Sequence, residues 1–446
     1  MHKRLVVVGG VAAGMSAAAK AKRVNRELDV VVFEKGAYIS FAACGMPYLL
    51  AGDIAEHREL IMRTPPQMAE QGVDVRIHHE VTEIAHQTRT VIVRDREQGQ
   101  EFAQPYDRLV LATGARPVHP EVPGSDLEGV FALRGLDSGL AMQSHLSQRR
   151  PKQAVVVGGG YIGVEMAEAL RRRGLEVTMV IRSGKVLRTM LDDDTRELVH
   201  RELENQGVHI RHSKLVAFEG DAQLKAVLTE QGARPCDVVL LGVGAQPNVA
   251  LARAGGIETG PTGAIATDDH MCTNLENVFA AGDCSEAMHL VTGQPAYIPL
   301  GTTANKQGRV AGTNAAGGSA TFGGVVGTVV VRCFELAVAA TGLTAASARA
   351  TGFDVQETMI RASDISHYFP GAADIHVKLV VDRESGRLLG GQIVGKRGVA
   401  KRVDILATAL HNQMTVADLQ KLDLSYAPPF APVWDPILVA ANIAAK

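Results

Sequence analysis

Apolar positions run without a break through RLVVVGG and then change spacing at the glycines. In AAGMSAAAKAKRV the small and apolar residues recur with a helical period, and DVVVFEK is again continuously apolar. A buried strand, a helix and a second buried strand make a βαβ unit. The same order returns in QAVVVGGG, YIGVEMAEALRRRG and EVTMVIR. The chain is therefore expected to hold two α/β units of one design, one starting near residue 5 and one near residue 154.

Between the repeats, VDVRIHHEVTEI and RTVIVRD alternate as antiparallel strands do. YDRLVLATGARPVHP reads as a buried strand ending in a Gly/Pro crossing. CDVVLLGVGAQPN closes the second repeat in the same way, and NVFAAGDCSE reads as a return to the first unit. Beyond about residue 322 the pattern changes. IHVKLVVDRESGRLLGGQIVG is expected to form a hairpin around a Ser-Gly turn and VAKRVDILATALHNQM a helix, giving an antiparallel α+β tail. The expected division is 1–115 with 246–322, then 116–245, then 323–446.

The length of 446 residues suits about three domains. A net charge of −2 argues against nucleic acid or a membrane surface as partner. No apolar run approaches the roughly 20 residues of a membrane-spanning helix. The start, MHKRLVVVGGVAAGMSAAA, imitates a signal peptide, but its glycines fall where a strand turns into a helix, so that reading is rejected. Cys44, Cys236, Cys272, Cys284 and Cys333 are odd in number, with no C-x-x-C spacing. A disulfide framework or a zinc site is thereby disfavoured, and a reducing cytoplasm fits.

The glycine turns carry the first chemistry. A tight turn delivers a pyrophosphate to a helix N-terminus, and an acid closing the second strand bonds the ribose. Gly9 and Gly14 hold the outer glycine positions of the first unit, Val11 replaces the middle one, and Glu34 follows Gly14 by about 20 residues. The second unit has Gly158, Gly160 and Gly163, with Ile181 in place of the acid and Arg182 and Arg188 after it. Loss of the acid together with two guanidiniums suits a 2′-phosphate. A flavin dinucleotide and NADPH, with NADH possible, fit the two sites. In SFAACGMPYLLAG, Cys44 is a lone thiol near the first of them.

VVVGGVAAG, SFAACGMPY, LVLATGARP, VVVGGGYIGVE, NVFAAGDC, PLGTTANKQGR and YAPPFAPVWDP form an ordered set over nearly the whole chain. With it the sequence resembles the flavin-dependent pyridine nucleotide–disulfide oxidoreductases. The likeness is to their single-cysteine branch, which contains coenzyme A-disulfide reductase, NADH oxidase, NADH peroxidase and CoA-persulfide reductase. The resemblance implies two Rossmann-like dinucleotide-binding domains and a C-terminal α+β dimerisation domain, hence a homodimer. It implies FAD on the turn Gly9, Val11, Ala12, Ala13 and Gly14, on Glu34, Lys35 and Val81, and on Ala112, Thr113 and Gly114. Gly282 and Asp283 would meet the ribityl chain, with Thr302 and Ala304 at a helix start aimed at the flavin ring. NADPH would lie on Gly158, Gly160, Ile162, Gly163, Glu165, Arg182, Arg188 and Gly244, with Tyr161 covering the flavin on the nicotinamide side.

Leu49 stands where dithiol members have a second cysteine, so Cys44 must pair with a sulfur or oxygen from outside the chain. Peroxidase and oxidase members have a histidine where this chain has Ala12, which argues against oxygen or peroxide as the main substrate. Tyr368 in SHYFPG and Tyr426 in SYAPPF resemble the two phenols of coenzyme A-disulfide reductase that sit beside the cysteine, the second arriving from the partner subunit. A phenol there can protonate a departing thiolate. The resemblance implies CoA contacts at Ser16, Lys20, Arg23, Ser40 and Asn305, where Lys20, Lys22, Arg23 and Arg26 form a basic run on the first helix. Ala43 departs from the asparagine frequent before the cysteine.

Some residues are read as structural. His78 and His79 alternate on a strand and need not bind metal, LDDDTRE starts a helix with acids at its positive end, and the other four cysteines fill cores. The function expected is NADPH- and FAD-dependent reduction of coenzyme A disulfide. The alternatives are CoA-persulfide or polysulfide reduction, NAD(P)H oxidase activity, and a flavin electron carrier serving a protein partner. The sequence has no C-terminal rhodanese-like extension, which takes one support from the persulfide alternative.

Overall fold

A computed structural model describes residues 3–446. The first repeat forms the strand Arg4–Val8, the helix Ala12–Val24 and the strand Asp29–Phe33. These strands belong to a five-stranded parallel sheet in the order Val278–Ala280, Arg108–Leu111, Arg4–Val8, Asp29–Phe33, Val73–Arg76. The NVFAAGDCSE segment thus returns to the first sheet as its edge strand. Leu5, Val6 and Val7 are fully buried, as a strand covered on both faces requires.

The second repeat builds the same layer from Gln153–Val157, Tyr161–Arg172 and Glu176–Ile181. Its five-stranded sheet is also parallel, in the order Val208–His212, Glu176–Ile181, Gln153–Val157, Val238–Leu241, Val130–Phe131. The two Gly/Pro crossings pair with each other: Ala115–Pro117 runs antiparallel to Ala245–Pro247. Asn248 reinforces the joint, its side-chain amide donating to the Thr113 carbonyl (2.9 Å) while the Thr113 hydroxyl donates to the Asn248 carbonyl (2.7 Å).

VDVRIHHEVTEI does not form one strand. Val73–Arg76 belongs to the parallel sheet and His79–Ala85 opens an antiparallel sheet with Thr90–Asp95 and Glu101–Pro105. The chain switches sheets at His78, whose φ of 58° lies in the left-handed region. His78 is therefore a turn residue rather than a strand residue. Among the described residues no cluster of metal-ligating side chains is present.

The tail is a five-stranded antiparallel sheet, Val329–Cys333, Leu336–Gly342, Leu388–Gly395, Asp374–Asp382, Val355–Ser363. Its hairpin turns at Ser385-Gly386 with Gly386 at φ 69°, and the helix Val399–His411 covers one face. LDDDTRE opens the helix Asp193–Asn205, with Asp192 as its N-cap residue. Those acids also receive Lys378 from the tail sheet. Lys378 is 2% exposed, and its Nζ lies 2.8 Å from Asp194, 2.6 Å from Glu357 and 3.6 Å from Asp192.

An ammonium buried so deeply is tolerable because carboxylates surround it, and removing it leaves their charges facing one another. Lys378→Met is therefore expected to lower the unfolding free energy by about 3 kcal/mol. A chemical-denaturation midpoint equal to that of the unmodified chain would show instead that solvent satisfies the acids.

Candidate active site

Both glycine turns are built from backbone pressed on backbone. Gly9 has φ 104°, and a Cβ there would lie 2.2 Å from the Ala112 carbonyl oxygen. A Cβ on Gly14 would lie 1.8 Å from the Gly9 oxygen. In the second unit the corresponding distances are 2.2 Å from Gly158 to the Gly242 oxygen and 2.5 Å from Gly163 to the Gly158 oxygen. Gly160 is different: a Cβ there would meet nothing within 4 Å. Packing within the protein does not demand that glycine, but a dinucleotide pyrophosphate approaching the backbone would.

The register equates the residues that end the second strands. Gly9 donates to the Phe33 carbonyl (2.8 Å) as Gly158 does to Val180 (2.9 Å), so Glu34 and Ile181 occupy equivalent places. Glu34 accepts from the N–H groups of Gly10 and Gly36, both at 2.7 Å, which fixes its carboxylate beside the turn. Ile181 is buried against Gly159. The loop after it is tied back to the turn by Leu187, which donates to the Gly159 carbonyl (2.6 Å). Arg182 and Arg188 are exposed on that loop and have no carboxylate partner among the described residues, whereas Lys185 pairs with Asp193 (2.8 Å).

Cys44 sits in the short 3-10 turn Ala43–Gly45, ahead of the helix Met46–Ala51. Ser40, at φ 46°, donates its N–H to the Gly10 carbonyl (2.9 Å), which ties the cysteine segment to the first glycine turn. Cys44 is exposed, Cys236, Cys284 and Cys333 are buried, and Cys272 is half-buried. Leu49 is a core residue. The surrounding protein raises the Cys44 thiol above its ordinary value, and the carboxylates of Glu165 and Asp283 push it further. Burial pushes Glu165 up to about 7, opposed by the Tyr48 hydroxyl, which donates to it at 3.1 Å. Tyr161 is raised by burial and then by Asp283, Cys44 and Glu165, so these four groups share one pocket of charge. Two members had no sequence signal: Arg134 pairs with Asp283 (3.3 Å), and the Tyr297 hydroxyl donates to the Asp283 carbonyl (3.0 Å).

The helix Gly301–Ala315 brings the remaining candidates together. Cβ atoms on Gly308 and Gly312 would lie 2.3 and 2.2 Å from the carbonyl oxygens of Ala13 and Ala17. Gly282 touches the same junction, where its Cβ would meet those of Ala13 (2.7 Å) and Ala304 (3.5 Å). Thr302 is exposed in the first turn. The Ser16 hydroxyl donates to Asn305 (2.6 Å), and Lys20 and Arg23 follow one and two turns later on that face. Lys22 does not belong with them, because it donates to the carbonyls of Arg26 (2.8 Å) and Leu28 (2.7 Å) and ties down the helix end. Val81 is buried in the antiparallel sheet, whose first residue, His79, donates its N–H to the Glu34 carbonyl (2.9 Å). Lys35 accepts at its carbonyl from Arg96 (3.2 Å).

Tyr368 and Tyr426 lie on the tail, with their hydroxyls 3.3 Å from each other. One chain thus carries both phenols as a pair within hydrogen-bonding reach. Phe430, Val433 and Trp434 are exposed in the segment that follows Tyr426.

Residues 3–308 match the family described as pyridine nucleotide-disulphide oxidoreductase, and residues 328–436 match its dimerisation domain. The chain belongs to that family. It is an FAD-dependent disulfide oxidoreductase with a C-terminal dimerisation domain. A similar relative is the NAD(P)H sulfur oxidoreductase (CoA-dependent) of Pyrococcus abyssi, 41% identical over 99% of this chain and 98% of that one. Coenzyme A disulfide reductase of Staphylococcus haemolyticus is 30% identical over 96% of both. Among solved structures, reduced Bacillus anthracis CoADR-RHD superposes with a TM-score of 0.97 at 33% identity, over all of this chain and 80% of that one. An engineered water-forming NADPH oxidase derived from that of Lactobacillus brevis, bound to NADPH, gives 0.95 at 28% identity, over 99% and 98%.

The contrast between the glycines is testable. Gly160→Ala should fold as the parent does and lose affinity for the reduced nicotinamide dinucleotide by roughly tenfold or more, through overlap with the ligand. Gly14→Ala should fail to retain FAD. Calorimetric titration and flavin absorbance after gel filtration read the two outcomes, and unchanged nucleotide affinity in Gly160→Ala would remove that turn from the binding site.

Proposed function

We propose that the enzyme reduces a sulfur–sulfur bond carried by coenzyme A, with NADPH as electron source and CoA disulfide as substrate. The observation that carries this reading is the lone exposed Cys44 with Leu49 buried where a second thiol would stand, so the partner sulfur must arrive with the substrate. FAD and NADPH, held at the first and second glycine turns, supply the electron pair when bound. The Cys44 thiolate attacks one sulfur of CoA disulfide, that bond breaks, one CoA leaves as thiolate, and the other remains on Cys44. Two electrons then release the second CoA and restore the Cys44 thiolate, while two protons neutralise the two CoA thiolates. The paired phenols of Tyr368 and Tyr426, brought by the partner subunit of a homodimer, donate to the departing sulfur. Lys20 and Arg23 meet the CoA phosphates beside the Ser16–Asn305 pair.

In this reading FAD lies on 1–115 and 246–322, the nicotinamide nucleotide on 116–245, and dimer contacts on 323–446. Five free cysteines suit a reducing cytoplasm, and among the described residues no helix is long and apolar enough to cross a membrane. NADPH preference is supported by Ile181, Arg182, Ser183 and Arg188. The engineered NADPH oxidase carries alanine for aspartate, then arginine, then serine, then a further arginine five positions on, which is the spacing found here. A second reading is CoA-persulfide reduction, in which hydrosulfide leaves in place of the first CoA. It is favoured by relatives named for CoA-dependent sulfur and polysulfide chemistry at 40–41% identity. Those relatives are covered over 98–99% of their own length, so an added domain is not needed for that name.

Anaerobic titration with NADPH should show two more electrons per subunit in the parent than in Cys44→Ser, with FAD retained in both. Equal uptake would rule out the single-thiol mechanism. Counting products separates the readings: two CoA thiols per NADPH from CoA disulfide, against one thiol and one hydrosulfide from CoA persulfide. Replacing Arg182 and Arg188 together by alanine should cost roughly two powers of ten in kcat/KM for NADPH and leave NADH nearly unchanged. A parent that already prefers NADH would overturn the phosphate assignment.

A further inference from the structure

Arg332 lies next to last in the tail strand Val329–Cys333, yet its side chain is engaged with the other two units. Its guanidinium lies over the Tyr48 ring, 4.8 Å from the centroid, and pairs with Asp53 at 2.6 Å. Its Nε is 2.7 Å from Glu168, a buried carboxylate whose other oxygen accepts from the Phe334 N–H (2.8 Å). Arg172 closes the cluster on Asp53 (2.5 Å), and Arg173 donates to the Leu50 carbonyl. The helix Met46–Ala51 behind Cys44, the helix Tyr161–Arg172 and the tail strand therefore meet at one guanidinium. At its far side the Tyr48 hydroxyl donates to Glu165, which faces Cys44.

We propose that Arg332 is a positioning residue for the redox cysteine: by fixing the Tyr48 ring it keeps the Tyr48 hydroxyl on Glu165, and so sets the pH range in which Glu165, and through it the Cys44 thiol, gives up its proton. The groups facing Glu165 are Tyr48 and Cys44 from the cysteine segment, Tyr161 and Glu168 from its own helix, and Arg332 from the tail. Tyr48 and Arg332 favour the carboxylate, Glu168 opposes it, and burial opposes it most. Loss of Tyr48 or Arg332 keeps Glu165 protonated to higher pH. A neutral Glu165 no longer repels a thiolate, so Cys44 ionises at lower pH.

The inference rests on Cys44 being the redox thiol, but alkylation tests it without CoA or NADPH. The FAD-loaded enzyme is reduced with dithiothreitol, desalted, and its Cys44 iodoacetamide rate followed from pH 5 to 10. Glu165→Gln should raise the rate at pH 7 by roughly three- to tenfold. Tyr48→Phe, which keeps the ring, and Arg332→Gln should each move the profile part of the way in the same direction. In a Glu165→Gln background neither should move it further. Profiles unchanged in both single variants would overturn the proposal, as would a shift by Arg332→Gln that persists without Glu165. Either result leaves the electron count at Cys44 standing.

Discussion

Two helices cross backbone against backbone at a pair of glycines. The helix behind the first glycine turn offers the carbonyls of Ala13 and Ala17, and Gly308 and Gly312 lie on them directly. A single added methyl at either glycine would force the backbones apart, because a carbonyl has no rotamer with which to yield. The candidate site is arranged around this crossing. It joins Gly282 and Ala304 to the first turn and lets Ser16 reach Asn305. Through the Ser40–Gly10 hydrogen bond it also sets the cysteine segment relative to both.

Charge is sorted around that frame. The cations assigned to phosphates (Lys20, Arg23, Arg182 and Arg188) have no carboxylate partner among the described residues, while Lys185, Arg172, Arg332 and Lys378 are held by acids. Unneutralised guanidiniums at the surface remain available to anions. Around Cys44 the order is reversed: Glu165 and Asp283 stand near the thiol, and Arg134 answers Asp283. A thiol in such surroundings holds its proton more tightly than a free one. Its reactivity then depends on what neutralises those acids.

Elements whose signal is local were legible in the sequence. The two βαβ units, the return strand, the Ser-Gly hairpin and the acid-rich helix start rest on periodicity and turn chemistry within a few residues. The equivalence of Glu34 and Ile181 was legible too, since strand length and glycine spacing count it out. Features made by distant partners left no such trace. Nothing near Arg332 indicates that Tyr48 lies beneath it, nothing near Lys378 names Asp194, and Arg134 shows no motif for Asp283. VDVRIHHEVTEI misled for the opposite reason: both halves alternate as strands do, and the break at His78 is a backbone event that polarity does not record. The direct contact of the Tyr368 and Tyr426 phenols left no local trace either: they stand 58 positions apart in the chain, and folding brings them within hydrogen-bonding reach.

The ribbon between Ala115–Pro117 and Ala245–Pro247 bears on ancestry and on engineering. Chain entry to the second unit and chain exit from it are neighbouring strands, hydrogen-bonded to each other, so everything between them is an insertion with both ends in one place. Such a module can be lengthened, shortened or exchanged for another of the same footing without rethreading the sheet that precedes and follows it. The loop that carries Arg182 and Arg188 lies wholly inside the insert, and the Cys44 turn lies wholly outside. On the roles proposed above, coenzyme preference and sulfur chemistry would lie on separate stretches of one chain, joined through a single two-stranded ribbon.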